Sequence, residues 1–207
     1  PPLFERLQEE AEGIVIAGPP GSGKSTFVTA LAEYYAAQKK IVKTLEQPRD
    51  LQVGKEITQY APLEGSFAQA ADVLLLVRPD YTVFDEIRKL DDFKTFADLR
   101  LAGIGMVGVV HASKAIDAIQ RFIGKIDLGV LPQVIDTIIF LQRGQIQKVY
   151  DLQFVIKVPH GMREKDLARP VIQVRDFLSQ QPEFEIYKWG EETVVFPLSG
   201  SIPGREK

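Results

Sequence analysis

Gly18-Pro19-Pro20-Gly21-Ser22-Gly23-Lys24-Ser25 is the stretch from which the rest of the chain can be read. It is a complete phosphate-binding loop pattern, a glycine followed after four residues by Gly-Lys-Ser. Glycines let successive backbone N–H groups curl around an anion with no Cβ in the way. A helix starting behind the loop aims its unpaired N–H groups and its dipole at the same point. Lys24 supplies positive charge to the β- and γ-phosphates, Ser25 offers a hydroxyl to Mg²⁺, and Thr26 closes the cradle. The ligands expected here are ATP and Mg²⁺. An exposed phosphate-binding lysine contributes little to stability, so Lys24 is expected to be dispensable for folding.

The flanks of the loop are those the motif requires. Gly13-Ile14-Val15-Ile16-Ala17 is a short apolar run that reads as a buried strand entering a turn. After Lys24 the period changes, and Phe27, Val28, Leu31, Tyr34 and Tyr35 fall on one helix face. Further out, residues 41–45 read as a second strand and residues 46–54, with Pro48, as a polar loop. Helical patterning returns over 67–76 and 92–101, and strands over 81–84, 106–110 and 137–141. Ser113 reads as the cap of one more helix running to Phe122. This alternation predicts an α/β core with a mostly parallel sheet and helices on both faces.

Near residue 142 the grammar shifts. Arg143-Gly144 is a turn between strand-like runs at 138–141 and 146–158, and 183–189 with 193–196 reads as a hairpin across Gly190. The expected division is a linker or short helix over 1–12, the nucleotide-binding core over 13–142, and a β-rich extension over 143–207.

Phosphate chemistry also needs a carboxylate to hold Mg²⁺ through water and an acid to align the attacking water. Asp85-Glu86 ends an apolar strand, where ligand sites of α/β sheets form; the alternative is an N-cap pair for the next helix. Glu46 ends the second strand, and His111 ends a further strand from which it could sense a γ-phosphate.

Composition bounds the answer. With 207 residues, 45% of them hydrophobic, 26% charged and a net charge of −3, the chain is an ordinary folded protein. The charge balance argues neither for nor against nucleic acid, so a basic footprint would have to be local. No cysteine and two histidines exclude disulfides, thiolate sites and multi-histidine metal sites. The longest apolar run, residues 73–77, is too short to cross a bilayer, and Glu9, Glu10 and Glu12 interrupt any signal peptide. A cytoplasmic protein without membrane insertion is expected. The chain opens on Pro1-Pro2 with no initiator Met, which reads as a piece of a longer protein.

Together these segments resemble the type II/type IV secretion ATPase superfamily, a hexameric RecA-like group. Leu45-Glu46-Gln47-Pro48 stands where its acidic Asp box lies. Phe84-Asp85-Glu86-Ile87-Arg88 looks like its Walker B segment, and Val110-His111-Ala112 like its His box. More narrowly, Ile41-Val42-Lys43-Thr44-Leu45-Glu46, Gln59-Tyr60, Val109-Val110-His111-Ala112-Ser113 and Leu167-Ala168-Arg169-Pro170 resemble the archaeal PIN-domain-linked ATPases. That family has flanking PIN and KH domains, neither visible here, and includes a proposed RuvB-like hexameric helicase that migrates Holliday junctions.

The resemblance implies a RecA-like P-loop core, a homo-hexameric ring and branched DNA as partner. It also implies Lys24, Glu46, Glu86 and His111 as catalytic residues, with Asp85 and Ser25 on the metal. The wider group has Gly-Glu where this chain has Asp85-Glu86, which leaves two assignments for the water-polarising acid. Glu46 is favoured by analogy with the Asp box, and Glu86 by a conventional Walker B. Arg78, Arg88, Arg100 and Arg121 are candidates for a cation supplied in trans. A pilus or secretion motor acting on membrane proteins, and a nucleotide-gated scaffold for a nuclease-like domain, are the competing functions.

Overall fold

The computed structural model describes residues 2–9, 11–162 and 168–198. Pro1, Glu10 and Leu167, which entered the sequence reading, lie outside the described residues. The chain runs through α1 (Pro2–Glu9), β1 (Gly13–Gly18), α2 (Lys24–Ala37), β2 (Val42–Leu45), β3 (Thr58–Tyr60), α3 (Phe67–Val77), β4 (Tyr81–Phe84) and α4 (Leu90–Leu101). It continues through β5 (Gly105–His111), α5 (Ala115–Gln120), α6 (Leu131–Val134), β6 (Thr137–Gln142), β7 (Gln145–Lys157), β8 (Arg169–Asp176), β9 (Pro182–Trp189) and β10 (Glu192–Pro197).

All ten strands join one sheet in the order β10-β9-β8-β7-β6-β1-β5-β4-β2-β3. The stretch from β6 to β3 is parallel, and β6 through β10 pair antiparallel. This is the expected α/β arrangement of a parallel sheet with a β-rich continuation. Every residue of β1 is buried, as suits an apolar strand covered on both faces. One face carries α1 and α2, where Leu7, Val28, Leu31 and Tyr35 pack on Ile14, Ile16 and Val107. The other carries α3 to α6, and its core reaches without a break from Val15 and Phe96 to Leu152, Ile172 and Ile186. The strands after β6 therefore extend the sheet and share its core. Among the described residues no helix is long and apolar enough to cross a membrane.

One local reading changes, and two strands, β3 and β8, form where the sequence reading placed none. The helix after β5 is capped at Lys114 rather than Ser113, because the Asp117 carboxylate accepts the Lys114 N–H at 2.9 Å and fixes the first turn one residue later. The edge strand β3 lacks an apolar pattern; Thr58-Gln59-Tyr60 is held by its register with β2. In β8, Pro170 sits opposite Ile156 on a strand whose buried residues are Val171, Ile172 and Val174.

The N-terminal segment is pinned by aromatic hydroxyls. The Tyr35 and Tyr81 rings stack at 3.9 Å, and their hydroxyls donate to the carbonyls of Leu7 (2.7 Å) and Ala11 (2.9 Å). Burial pushes both phenols above their ordinary range, so these bonds persist at any physiological pH. At the entry to β1 the packing tolerates no side chain: a Cβ on Gly13 would lie 2.1 Å from the Val134 carbonyl oxygen. Because that neighbour is backbone, Gly13→Ala is expected to destabilise the fold by about 1–3 kcal/mol or more. A lowered midpoint in chemical denaturation checks it.

Candidate nucleotide site

The loop between β1 and α2 takes the conformation its glycines allow. Gly21 and Gly23 have φ of 72° and 92°, in the left-handed region that residues with a Cβ avoid. Gly18 is needed for space, since a Cβ there would lie 2.3 Å from the Leu141 carbonyl oxygen and 2.5 Å from Ser22 Oγ. The β6–β7 turn braces the loop from outside, with Gly144 N–H donating to the Ser22 carbonyl at 3.1 Å. No side chain caps α2, whose N-cap is Gly23, so its first-turn N–H groups point into the loop unclaimed by a cap. That is the donor set an anion requires.

Lys24 is not the exposed residue the sequence suggests. It is 6% exposed, and its ammonium donates to the Gly18 and Pro19 carbonyls at 2.9 and 2.8 Å. Burial lowers its affinity for a proton, while Glu86 and Asp85 oppose that effect. It also donates to Ser22 Oγ at 3.4 Å, so replacing it removes three hydrogen bonds as well as a charge.

A cavity of about 610 Å³ opens over the loop at the carboxyl edge of the parallel strands. Residues 20–26 form one wall; Gln47, Pro48 and Asp50 enter after β2, Asp85, Glu86 and Arg88 after β4, and Val109 and His111 from β5. The Asp85 carboxyl is pushed up to about 6 by burial, and then by the negative charges of Asp50, Glu46 and Glu86. Glu86 has φ 67°, an uncommon conformation for a residue with a side chain. His111 Nε2 lies 2.7 Å from one of its oxygens and Arg88 pairs with the other. The Arg88 hydrogen bond holds the Glu86 carboxyl below the usual range, opposed by burial and helped by His111. His111 Nδ1 is buried and has no partner among the described residues. The helix α4 takes Lys89 as its N-cap, so Asp85-Glu86 is not a capping pair.

Glu46 stands elsewhere. It is 0% exposed and does not line the cavity; its carboxylate accepts from Asp50 and Leu51 N–H, Gln59 and Thr44. The water-polarising position suggested by the Asp-box analogy is thus sealed behind the site, because four local donors outcompete solvent for it. Asp50, four residues further along, is the acid of this loop that reaches the cavity. The sequence reading missed it; it found the turn at Arg143-Gly144 but not that turn's contact with Ser22.

The candidate arginines also separate. Arg100 is 14% exposed and pairs with Glu12, and Arg78 lines a different cavity beside the starts of β4 and β5. Arg88 is engaged by Glu86, and Arg121 donates to the His111 carbonyl at 3.0 Å.

The donor set fits a nucleoside triphosphate with Mg²⁺. The loop N–H groups and Lys24 suit the phosphates, and the crowded carboxylates around Asp85 favour a cation. Among the described residues no group of three or more His, Cys, Asp or Glu forms a metal site. Mg²⁺ keeps waters and phosphate oxygens and needs few protein ligands, such as Ser25 and Asp85 could supply.

Fold and loop together define the class: an α/β protein built around a phosphate-binding loop at the carboxyl edge of a parallel sheet. The chain belongs to the type II/IV secretion system protein family, whose profile matches residues 2–146. It is 67% identical, over 95% of its length and 30% of the relative's, to an uncharacterized KH and PIN-domain containing protein of Methanocaldococcus jannaschii. It is 53% identical, over 95% of its length and 38% of the relative's, to the Holliday junction branch migration ATPase PINA of Sulfolobus acidocaldarius. The chain thus spans about a third of the length of these curated relatives. Among solved structures, the VirB11 ATPase of the Brucella suis type IV secretion system shares the fold, with TM-score 0.59 and 20% identity over 72% of this chain and 50% of that one.

Asp85 ties site chemistry to stability. Its folded value, about 6, lies above the unfolded 3.8, so the folded state binds the extra proton between those values. Stability from this group is therefore fully present below pH about 4 and is lost as pH rises to about 6. Asp85→Asn is expected to stabilise the ligand-free protein by about 1–2 kcal/mol at pH 7, after discounting for partial solvent screening, and by little at pH 4. Thermal unfolding in chelator at the two pH values checks this.

Proposed function

We propose that this chain is the Mg²⁺-dependent ATPase module of a ring-shaped motor, a homo-hexamer acting on branched DNA in the cytoplasm. The reading of the site is supported by one observation above the others. The loop at 18–25, with Lys24 inside it, faces Asp85, Glu86 and His111 across a single cavity. Branched DNA as the substrate is supported by the 53% identity to a Holliday junction branch migration ATPase over nearly the whole chain.

In this reading residues 13–142 form a RecA-like core and residues 143–207 a β-rich extension, with PIN and KH domains flanking them in the whole protein. Residues 18–26 hold ATP through backbone N–H groups, and Lys24 leaves the carbonyls of Gly18 and Pro19 for the β- and γ-phosphates. Ser25 and, through water, Asp85 would hold Mg²⁺, which would supply neutralisation of charge on the phosphate oxygens. The Glu86–His111 pair faces the γ-phosphate end, and exchange of the Arg88 contact reports whether that phosphate is present. A neighbouring subunit's arginine completes the charge balance in trans. Arg121, exposed and joined to the His111 carbonyl, is the candidate favoured here, and the pairing of Arg100 with Glu12 argues against Arg100. The second reading, a pilus or secretion motor, is favoured by the family profile.

Full-length protein is expected to hydrolyse ATP faster with four-way junction DNA than without it, and the stimulation should fall steeply with added salt. Lys24→Ala is expected to lower the rate at least about 100-fold and to cost about 1 kcal/mol of stability through its lost hydrogen bonds. An unchanged rate with junction DNA, alongside capture of a membrane protein partner, would select the secretion-motor reading.

A further inference from the structure

Helix α3 is apolar on two sides. Phe67, Ala70, Ala71 and Leu74 face the core, and the Phe67 ring meets Phe84 of β4 edge-on at 4.8 Å. The opposite stripe, Gln69, Asp72, Val73 and Leu76 at i, i+3, i+4 and i+7, is exposed. Leu76 is 86% exposed, with Val73 and Val77 open beside it, so the helix presents an apolar ridge that carries one acid. Single apolar residues on a surface need no explanation, but a continuous ridge marks a contact.

A groove of opposite character lies further across the sheet. Phe154 and Ile172, directly opposed in the β7–β8 register, line it together with Pro170, Leu128 and Gly129. Its volume is about 240 Å³, and an apolar cavity of about 150 Å³ already holds a benzene ring. Phe154 is 47% exposed there. Two cations stand at the groove, Lys188 and Arg169. Arg169 is fixed over the Trp189 ring and donates to the Lys188 carbonyl at 2.8 Å. Asp127 also lines the groove, but its carboxylate accepts the Gly129 N–H of its own loop at 2.8 Å.

Ridge and groove are complementary in form and in charge, and within one chain they are kept apart. The ridge lies over β4, and four strands separate β4 from β8, a span of roughly 24 Å. Among the described residues neither the Asp72 carboxylate nor the Lys188 ammonium has an ionic partner. A two-fold pairing would set Asp72 against Asp72 or Lys188 against Lys188, which like charges disfavour.

We propose that the α3 ridge of one chain docks in the β7–β8 groove of a second copy, Leu76 entering the groove and Asp72 meeting Lys188. Because the two surfaces differ, the contact is head-to-tail, the kind that generates a ring when its rotation closes. The assignment deepens the ring reading and rests on it.

The test uses full-length protein with Leu76→Asp, Asp72→Lys, Lys188→Glu and the combination of the last two. Sedimentation over a range of concentrations measures assembly, and circular dichroism checks the fold. Each single variant is expected to raise the concentration for half-assembly at least about tenfold, with an unchanged spectrum because all three side chains are exposed. The combined variant is expected to return to within about threefold of wild type, since the pair is restored with its signs exchanged. The contact is overturned if Leu76→Asp assembles like wild type. It is equally overturned if the combined variant assembles no better than the single charge variants. A wild type that stays monomeric at every concentration instead removes the ring reading beneath it.

Discussion

The structure depends on the burial of β1 between β5 and β6, with both of its faces covered and its carboxyl end forced into a turn. Covering both faces demands the unbroken apolar run from Gly13 to Ala17, and the close walls demand glycine at each end. At Gly13 the wall is the Val134 carbonyl; at Gly18 it is the Leu141 carbonyl. A strand confined so tightly cannot drift in register, and the phosphate loop inherits that rigidity. Gly21 and Gly23 then turn the chain into α2 with its N-terminus facing outward. The loop's shape follows from the core beneath it.

What the core holds in place is electrostatically uncomfortable without a ligand. Lys24 lies buried against backbone carbonyls, and Asp85 stands among three other carboxylates, its proton affinity raised by burial and by their charge. A phosphate would relieve the first and a cation the second. The ligand-free protein therefore carries destabilisation at the cavity over the loop, as functional sites tend to. Glu46 shows the opposite economy. Its charge is fully hydrogen-bonded and buried, and the result is an ordered loop rather than an available base.

Much of this was legible in the sequence because it is encoded locally. The loop pattern, the apolar strand before it and the helix period after it identify β1 and α2 from their own residues. Asp85-Glu86 and His111 were legible as strand ends. What was not legible depends on tertiary partners. Glu46 and Asp50 are both acids of one loop, and only the fold shows that Thr44, Gln59 and two backbone N–H groups converge on the first and leave the second free. Lys24 looked exposed because its burial comes from its own loop folding back. The edge strand β3 has no apolar period because it lies half open at the rim, and its register with β2 comes from the sheet.

The continuation beyond β6 acquires a mechanical meaning from the same geometry. The β6–β7 turn is left-handed at both Arg143 and Gly144, and the Gly144 N–H is joined to Ser22 in the middle of the phosphate loop. From that turn β7 runs 13 residues, a rigid span of roughly 40 Å. Past Asp151, the last residue registered against β6, its far half is registered against β8. A displacement of the loop on exchanging a phosphate is therefore presented to the extension through a hydrogen-bonded strand, with no flexible linker between. Any work the nucleotide cycle performs on a partner has a short hydrogen-bonded path from Ser22 through Gly144 and β7 to β8 and β9, and the shared core through Leu152 and Ile172 makes that path stiff.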